Sequence, residues 1–401
     1  MKIMLAPDSF KGSLSSMEVI GILEDAALRV FGKQISFVRL PIADGGEGTL
    51  DAILYAAEGE KKEVLVSDPL GRRIKAAYGK CMHDGKCTGI IEMAQASGLP
   101  LLTEAERDPL LTSTYGTGEL IRAALDDGIR DFILGIGGSA TNDGGTGALQ
   151  ALGMHFHEAG GSVLPSGMGG GSLSRIASID KGPFDPRIAK SRFTVMCDVK
   201  NPLTGPSGAT FVYGPQKGAG PETLKILEAG MLHYASLLNR TAGRDLAGIP
   251  GTGAAGGLGA ALAAFFGAVL KPGIDILLDV VNFEQLLEGV DLVVTGEGRM
   301  DHQTASYGKA PAGIASRCAA RGIPVVAVAG SIGAEPFPFE SSGIASIMPA
   351  VSRPMALTDA LAEAKCLLSD AGERMFRFIK LGSRIKYERI ARAGQDREGT
   401  S

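Results

Sequence analysis

Five glycine-bearing stretches of this chain carry carboxylates: Asp8, Asp44 with Glu47, Asp143, Asp198, and Glu297 with Asp301. Capping explains a single Asp in such a loop; the same pattern in five loops asks for chemistry. Phosphoryl transfer needs backbone N–H groups on phosphates, carboxylates to hold Mg2+ and orient a hydroxyl, and cations such as Lys11 or Arg299 on the developing charge. The most informative stretch is DFILGIGGSATNDGGTGALQALG, from Asp131 to Gly153. Ile133 and Leu134 read as the end of a buried strand. Gly135, Gly137 and Gly138 let the backbone turn with positive φ, and a following helix would aim unpaired N–H groups at a phosphate. Ser139, Thr141, Asn142 and Asp143 add oxygens at the mouth. A carboxylate beside a phosphate cradle suggests a magnesium-bound nucleotide or a catalytic base. The plainer alternative is a strand-to-helix turn capped by Asn142 or Asp143.

Rival signatures are weaker. No G-x-x-x-x-G-K-[ST] occurs, which excludes a Walker loop as such. Gly251, Gly253 and Gly256 satisfy G-x-G-x-x-G, but LAGIP before them is not a strand. Gly135, Gly137 and Ala140 fit G-x-G-x-x-A after a strand, with Glu158 near the acidic position of a dinucleotide site. Against this dehydrogenase reading, a pyrophosphate there would meet Asp143 in the first turn of the helix. His155 and His157 alternate on a possible strand and share a face, but with no third ligand in view they read as solvent-exposed histidines. Cys81 and Cys87 are spaced too widely for a zinc knuckle.

The elements that must position these loops alternate between strand and helix. Lys2 to Ala6 reads as a buried strand ending in PDSFKGSLS, with Asp8, Ser9 and Lys11. Ser15 and Glu18 match a capping box for a helix that Gly32 stops. A second strand, Ile35 to Leu40, breaks into PIADGGEGT before a helix through Ala57. From about Lys61 to Met93, EVLVSD, RIKAAYG and TGIIEM read as antiparallel strands. A helix from about Gly118 to Asp127 precedes the glycine-rich stretch, and Gly160 to Gly171 reads as a mobile loop. Phe193 to Val199 is a strand ending in CDVKNPLTG, which places Asp198, Asn201 and Thr204 at its terminus. Pro221 opens an amphipathic helix to Asn239. GIPGTGAAGGLGA then leads into a helix of small residues, and Ile274 to Leu287 reads as helical or turn-rich. Asp291 to Val294 is a strand that runs into TGEGRMDHQTASYGKAP, with Glu297, Arg299, Asp301, Gln303 and Lys309. A helix, the strand PVVAVAG, a run near Ile347 and a final helix from about Met355 follow, with a frayed charged tail from Ser383. Loops at the carboxyl edge of such a sheet are where ligands bind.

Composition narrows the rest. With 401 residues the chain is long enough for two or three domains. A net charge of −4, from 40 basic and 44 acidic residues, leaves no electrostatic footprint for nucleic acid or an anionic membrane. Its 57 glycines are about twice the usual ~7% and have no collagen period, so loops carry the excess. The five scattered cysteines read as reduced thiols of a cytoplasmic protein. The amino-terminal run reaches Asp8 too soon for a signal peptide, and no stretch approaches the roughly 18 apolar residues of a membrane span.

In order along the chain, APDSFKGSLS, PIADGGEGT, GIGGSATNDGG, CDVKNPLTG, GAAGGLGA and TGEGRMDHQTASYGKAP resemble the bacterial glycerate kinases of the type-1 family. The resemblance spans residues 1 to about 380. It implies an α/β fold of two domains with mainly parallel sheets, one inserted in the other: 1–65 with 285–380 outside, 66–284 inserted, and an active site in the interdomain cleft. It also implies a kinase using ATP and Mg2+ to phosphorylate D-glycerate, giving 2-phosphoglycerate, or 3-phosphoglycerate as the alternative. Asp198 is then the first choice for the base and Asp301 the second, with Lys11 and Arg299 neutralising charge. Gly137, Gly138, Ser139, Ala140, Thr141, Asn142, Gly256 and Gly257 are the expected nucleotide contacts. Asp8, Ser9, Asp44, Gly45, Gly46, Glu47, Asn201 and Glu297 are the expected substrate contacts, and Asp143 and Asp44 the metal ligands. A homo-oligomer is compatible with the sequence. An NAD-dependent 2-hydroxy-acid dehydrogenase and a non-catalytic glycerate-binding regulator remain as alternatives of other classes.

Overall fold

The computed structural model describes residues 1–246, 249–302, 304 and 309–398. The chain divides into two compact units: Met1–Ile42 with Asn282–Ser401, and the continuous segment Ala43–Val281. The first change of unit falls at Ile42 rather than at residue 65. The reason is that ADGGEGT and the helix Thr49–Ala56 pack on strands of the second unit, where Gly45 lies against Met196 and Gly79 against Leu50 and Leu54.

The first unit opens with β1 (Lys2–Pro7) and β2 (Ser36–Arg39). Between them lies the helix Ser16–Phe31, whose capping box is present: the Glu18 N–H donates to Ser15 Oγ, and the Ser15 N–H donates to Glu18 Oε2 at 3.0 Å. Its face Val19, Ile20, Leu23, Ala26 and Ala27 is buried in one core with Leu368, Ala371 and Phe376 of the long helix Ala364–Glu398. Each fully buried Leu or Phe there contributes on the order of 1.5–3 kcal/mol. The tail expected to fray from Ser383 continues this helix instead.

The second unit follows in chain order. It contains β3 (Glu60–Ser67), β4 (Arg73–His83), β5 (Lys86–Glu92), β6 (Asp131–Gly135), the short pair β7 (His155–His157) and β8 (Ser178–Asp180), β9 (Arg192–Met196) and β10 (Val269–Lys271). Its six-stranded sheet has the order β10-β9-β6-β5-β4-β3. The pairs β10–β9, β9–β6 and β6–β5 are parallel, while β5–β4 and β4–β3 are antiparallel. Ends of β5, β6, β9 and β10 therefore share one edge. The helix Pro221–Ala242 buries Leu227, Met231, Tyr234 and Leu238 as one stripe and stops at Gly243 with φ 70°. The glycine run expected to be a mobile loop is packed down at its end, where a Cβ on Gly169 would lie 2.4 Å from the Leu111 backbone, while Gly160 and Gly161 at its start are exposed.

The chain then returns to the first unit as β11 (Leu292–Met300), β12 (Val325–Ile332) and β13 (Ser346–Pro349). The five-stranded sheet there has the order β13-β12-β11-β1-β2, parallel throughout. Chain order reverses between β1 and β11, and that switch point is where an open α/β sheet binds ligands.

Candidate functional site

At the switch point of the first unit, β1 ends at Pro7 and β11 runs on past Val294 to Met300, longer than its sequence suggests. The Asp8 N–H donates to Gly296 O at 2.8 Å, joining the two strand ends. Gly298 admits the loop closely, as its Cβ would lie 3.4 Å from Phe10 Cα and 3.5 Å from Lys11 N. Asp8 is buried and accepts from the Ser9 N–H at 2.6 Å, while Lys11 is exposed beside them. Glu297 and Arg299 alternate along β11. Glu297 accepts from Thr304 Oγ1 at 2.6 Å, and Thr304 Oγ1 accepts from the Asp301 N–H at 3.2 Å. Arg299 Nε lies 3.7 Å from Asp301 Oδ2. Expected polar residues of two motif segments thus meet at one edge: Asp8, Ser9 and Lys11 with Glu297, Arg299 and Asp301. Gln303 lies outside the described residues.

In the second unit the carboxyl edge gathers four loops. Gly137 donates its N–H to Gly45 O at 2.9 Å, and a Cβ on Gly135 would lie 2.7 Å from that same oxygen, so only glycine lets GIGGS sit on ADGGEG. Gly45, with φ 96°, also packs on Met196 at the end of β9. Asp198 Oδ1 accepts from the Gly273 N–H at 2.7 Å, and Gly273 abuts the Asp44 backbone, where a Cβ would meet Asp44 O at 2.5 Å. Asp44 and Asp198 are both half-buried, Glu47 is exposed, and Gly46 lies next to the Asp44 carboxylate. Helix Thr49–Ala56 starts on Glu92, a buried carboxylate that accepts from the Leu50 N–H at 2.9 Å. Burial pushes the Glu92 carboxyl up, and the backbone donors pull against it.

Asp143 is corrected by its surroundings. It is fully buried; Oδ2 accepts from the Thr114 N–H and Oγ1, both at 2.8 Å, and from the Gly147 N–H at 3.2 Å, while Oδ1 accepts from the Gly145 N–H at 3.1 Å. The helix behind the loop is only Thr146–Ala151, and the N–H groups at its start already hold an anion, the Asp143 carboxylate. Four internal donors leave this carboxylate a structural member of the loop, not the metal ligand expected of it. Burial still raises its pKa despite those donors.

The expected nucleotide residues also divide. Gly138, with φ 71°, is exposed, Gly137 is half-buried and Ser139 is 9% exposed. Ala140, Thr141 and Asn142 are interior, and the Asn142 amide donates to Thr210 Oγ1 at 3.2 Å. Gly256 and Gly257 lie beneath this loop: Gly256 O accepts from the Gly144 N–H at 2.9 Å, and a Cβ on Gly256 would lie 2.0 Å from Thr141 O. They shape the turn from behind and do not line its mouth. Asn201 is likewise engaged internally, donating to Ser207 O at 2.8 Å and accepting from Tyr213 OH at 2.7 Å. These two bonds pin the 201–213 segment.

The sequence reading missed Lys217. Its ammonium is buried and donates to Ser139 Oγ at 2.8 Å and Thr141 O at 2.7 Å, clamping the loop from inside. Burial pulls its pKa down to about 7, with the Asp143 charge opposing. Its only sequence signal is a Lys in the GPQKG turn, far from any motif. The dinucleotide reading fails on geometry. Glu158 follows β7 in the small two-stranded pair, where it binds Arg175, and does not stand at the end of a strand parallel to β6. Of the pair Cys81 and Cys87, the first is buried and the second exposed, and both are free thiols.

Comparison with known proteins agrees with this arrangement. Residues 3–380 match the glycerate kinase family. The chain is 45% identical to a glycerate kinase of Halalkalibacterium halodurans over 93% of its length and 97% of that protein. It is 46% identical to the glycerate 2-kinase of Escherichia coli K12 over 83% of its length and 86% of that protein. The crystal structure of a candidate glycerate kinase 2 from Salmonella typhimurium LT2 superposes with a TM-score of 0.80 at 42% identity, covering 96% of this chain and 99% of that one. Among the described residues no helix is long and apolar enough to cross a membrane. With the α/β folds, the glycine-loop edges and these relatives in agreement, the chain belongs to the glycerate kinase family.

Proposed function

We propose that this chain transfers the γ-phosphoryl group of ATP to the 2-hydroxyl of D-glycerate. The observation that carries the reading is the convergence of Asp44, Asp198 and the Gly137–Ser139 turn on one sheet edge of a family member. The relatives named glycerate kinase and glycerate 2-kinase support the substrate and the position.

In this proposal the Gly137–Gly138–Ser139 turn, exposed at Gly138, receives nucleotide phosphates, with the Lys217 ammonium beneath it fixing the Ser139 hydroxyl. Asp198, held by the Gly273 N–H, orients the glycerate hydroxyl and takes its proton as the new O–P bond forms in line with the leaving ADP oxygen. Asp301 is the second candidate for that task. Lys11 and Arg299 are the cations proposed to neutralise the substrate carboxylate or the transferring phosphate, and Asp8, Ser9 and Glu297 hold the loops that carry them. Mg2+ fits the hard oxygen donors available here, through Asp44, which is half-buried at the mouth of the turn, while Asp143 does not fit. When bound with ATP the ion supplies neutralisation of phosphate charge.

Phosphorus NMR of the product formed from D-glycerate and ATP tests the reading. We expect the 2-phosphate signal. A 3-phosphate signal would reassign the attacking hydroxyl. Unchanged ATP with a nicotinamide signal at about 340 nm would restore the dehydrogenase. Loss of both signals would leave a binding protein.

A further inference from the structure

Outside these loops, the pair β7 and β8 brings three metal-binding side chains together. Phe156 is fully buried in the core of the second unit and lies against Tyr234, with ring centroids 6.4 Å apart. Its neighbours His155 and His157 therefore both face outward, as strand alternation requires. The strands are antiparallel with His155 opposite Asp180, and residues directly opposite share a face. The third ligand that the sequence leaves out of view is thus supplied by a strand more than twenty residues on. Ligand atoms of His155, His157 and Asp180 all lie within 4.8 Å of one another. Donors on one tetrahedral zinc ion at about 2.0–2.1 Å stand roughly 3.3 Å apart, so small side-chain rotations close the set.

Two contacts prepare these groups for a cation. His157 Nδ1 lies 3.1 Å from Gly161 O, and a neutral imidazole making that bond carries its proton on Nδ1, presenting the Nε2 lone pair. Asp180 Oδ1 accepts from the Gly182 N–H at 2.8 Å, which fixes the carboxylate plane. Competing cations are directed elsewhere: Lys181 donates to Thr241 O at 3.0 Å, and Arg175 pairs with Glu158. The two histidine rings stand 6.4 Å apart and 72° to each other, an edge arrangement in which both can present a nitrogen to one point.

From this geometry we infer that His155, His157 and Asp180 form a binding site for a zinc-class divalent ion, with water in the remaining position. Two imidazoles and one carboxylate suit Zn2+, Co2+ or Ni2+, whereas Mg2+ prefers an all-oxygen set. The site is therefore chemically distinct from any magnesium that accompanies a nucleotide. Its platform is the buried Phe156, so the ion would tie the hairpin β7–β8 across its outer face.

Cobalt titration of the tag-free full-length protein tests this. Co2+ should give the visible absorption of a four-coordinate nitrogen and oxygen site at one equivalent, and Zn2+ should displace it. His157→Gln and Asp180→Asn each remove a ligand and should weaken binding by at least the roughly 10–100-fold that losing an outer supporting group costs at a metal site. The double variant His155→Gln with His157→Gln should abolish it, while ATP turnover under saturating Mg2+ stays unchanged. His302→Gln, at an exposed histidine 3.0 Å from Glu335, should leave the cobalt spectrum intact. Three outcomes overturn the inference: a six-coordinate spectrum, a spectrum that survives the double variant, or a thiolate charge-transfer band traced to exposed Cys87 or Cys366. Thermal unfolding without metal should match for all variants; a histidine variant that melts early is replaced in the comparison by Asp180→Asn, and Asp180→Asn, if it melts early, by His157→Gln.

Discussion

The two units treat their carboxylates differently. In the first, Asp301 and Glu297 sit half-buried at a strand end with an arginine and a hydroxyl as neighbours. In the second, Asp143 and Glu92 are sealed inside and spend their oxygens on backbone N–H groups, while Asp44 and Asp198 are half-buried. The lesson is that a carboxylate in a glycine loop is sorted by its donors. One that meets several internal N–H groups holds the loop, and one left at the rim is available to a substrate.

Breaking that sorting is the sharpest test. Asp198→Asn should lower kcat by about 10²–10⁴-fold, the range of a lost general base, with thermal unfolding nearly unmoved. Near-normal turnover would transfer the role to Asp301. Asp143→Ala should act the other way. Removing one partner of a buried charged network costs about 3–5 kcal/mol, read as a fall in denaturant midpoint, while the Mg2+ concentration for half-maximal residual activity stays put. A large change in that concentration would return Asp143 to the metal.

The buried clamp gives a pH signature confined to the second unit. Lys217 has a folded pKa of about 7 against an ordinary 10.5, so between those values the unfolded chain binds the extra proton. Stability should therefore rise with pH through that window, by up to about 1.4 kcal/mol per pH unit from this group. Lys217→Met should flatten the rise in denaturant titrations at pH 7 to 10, and an unaltered slope would show that the ammonium is not held in this way. The smallest effect is expected in the first unit: Arg299→Ala should raise a substrate KM about tenfold, roughly 1.4 kcal/mol, while changing stability by less than about 0.5 kcal/mol. An equal loss in kcat would place the guanidinium on the transition state instead.

Much of the scaffold was legible in local signals. The Ser15–Glu18 box, the Pro221 start and the Gly243 stop are short-range chemistry, and they stand where the residues put them. The six motifs likewise pointed to the family. The fate of each side chain in them was not legible, because the deciding partners are distant in sequence. Asp143 is filled by Thr114, and Asn201 by Ser207 and Tyr213. Lys217 reaches Ser139 across the interior from a segment without a motif. The unit boundary was missed for a related reason: ADGGEG reads as the end of β2, but its backbone fits only against the Gly135–Gly137 turn.

The excursion of Ala43–Val281 between β2 and β11 carries a consequence for how the chain is made. Strand β1 emerges first, yet its central partner begins at Leu292, so Ile3 waits for most of the polypeptide before its ladder can close. The inserted segment has no such delay, since its partners lie within its own length and domains fold as units during synthesis. The first unit is left with the high contact order and the late loop closure. Slow refolding phases should therefore report β1 joining β11, and a ribosome stalled near residue 281 plus its exit tunnel should carry a folded second unit and a first strand that still lacks β11.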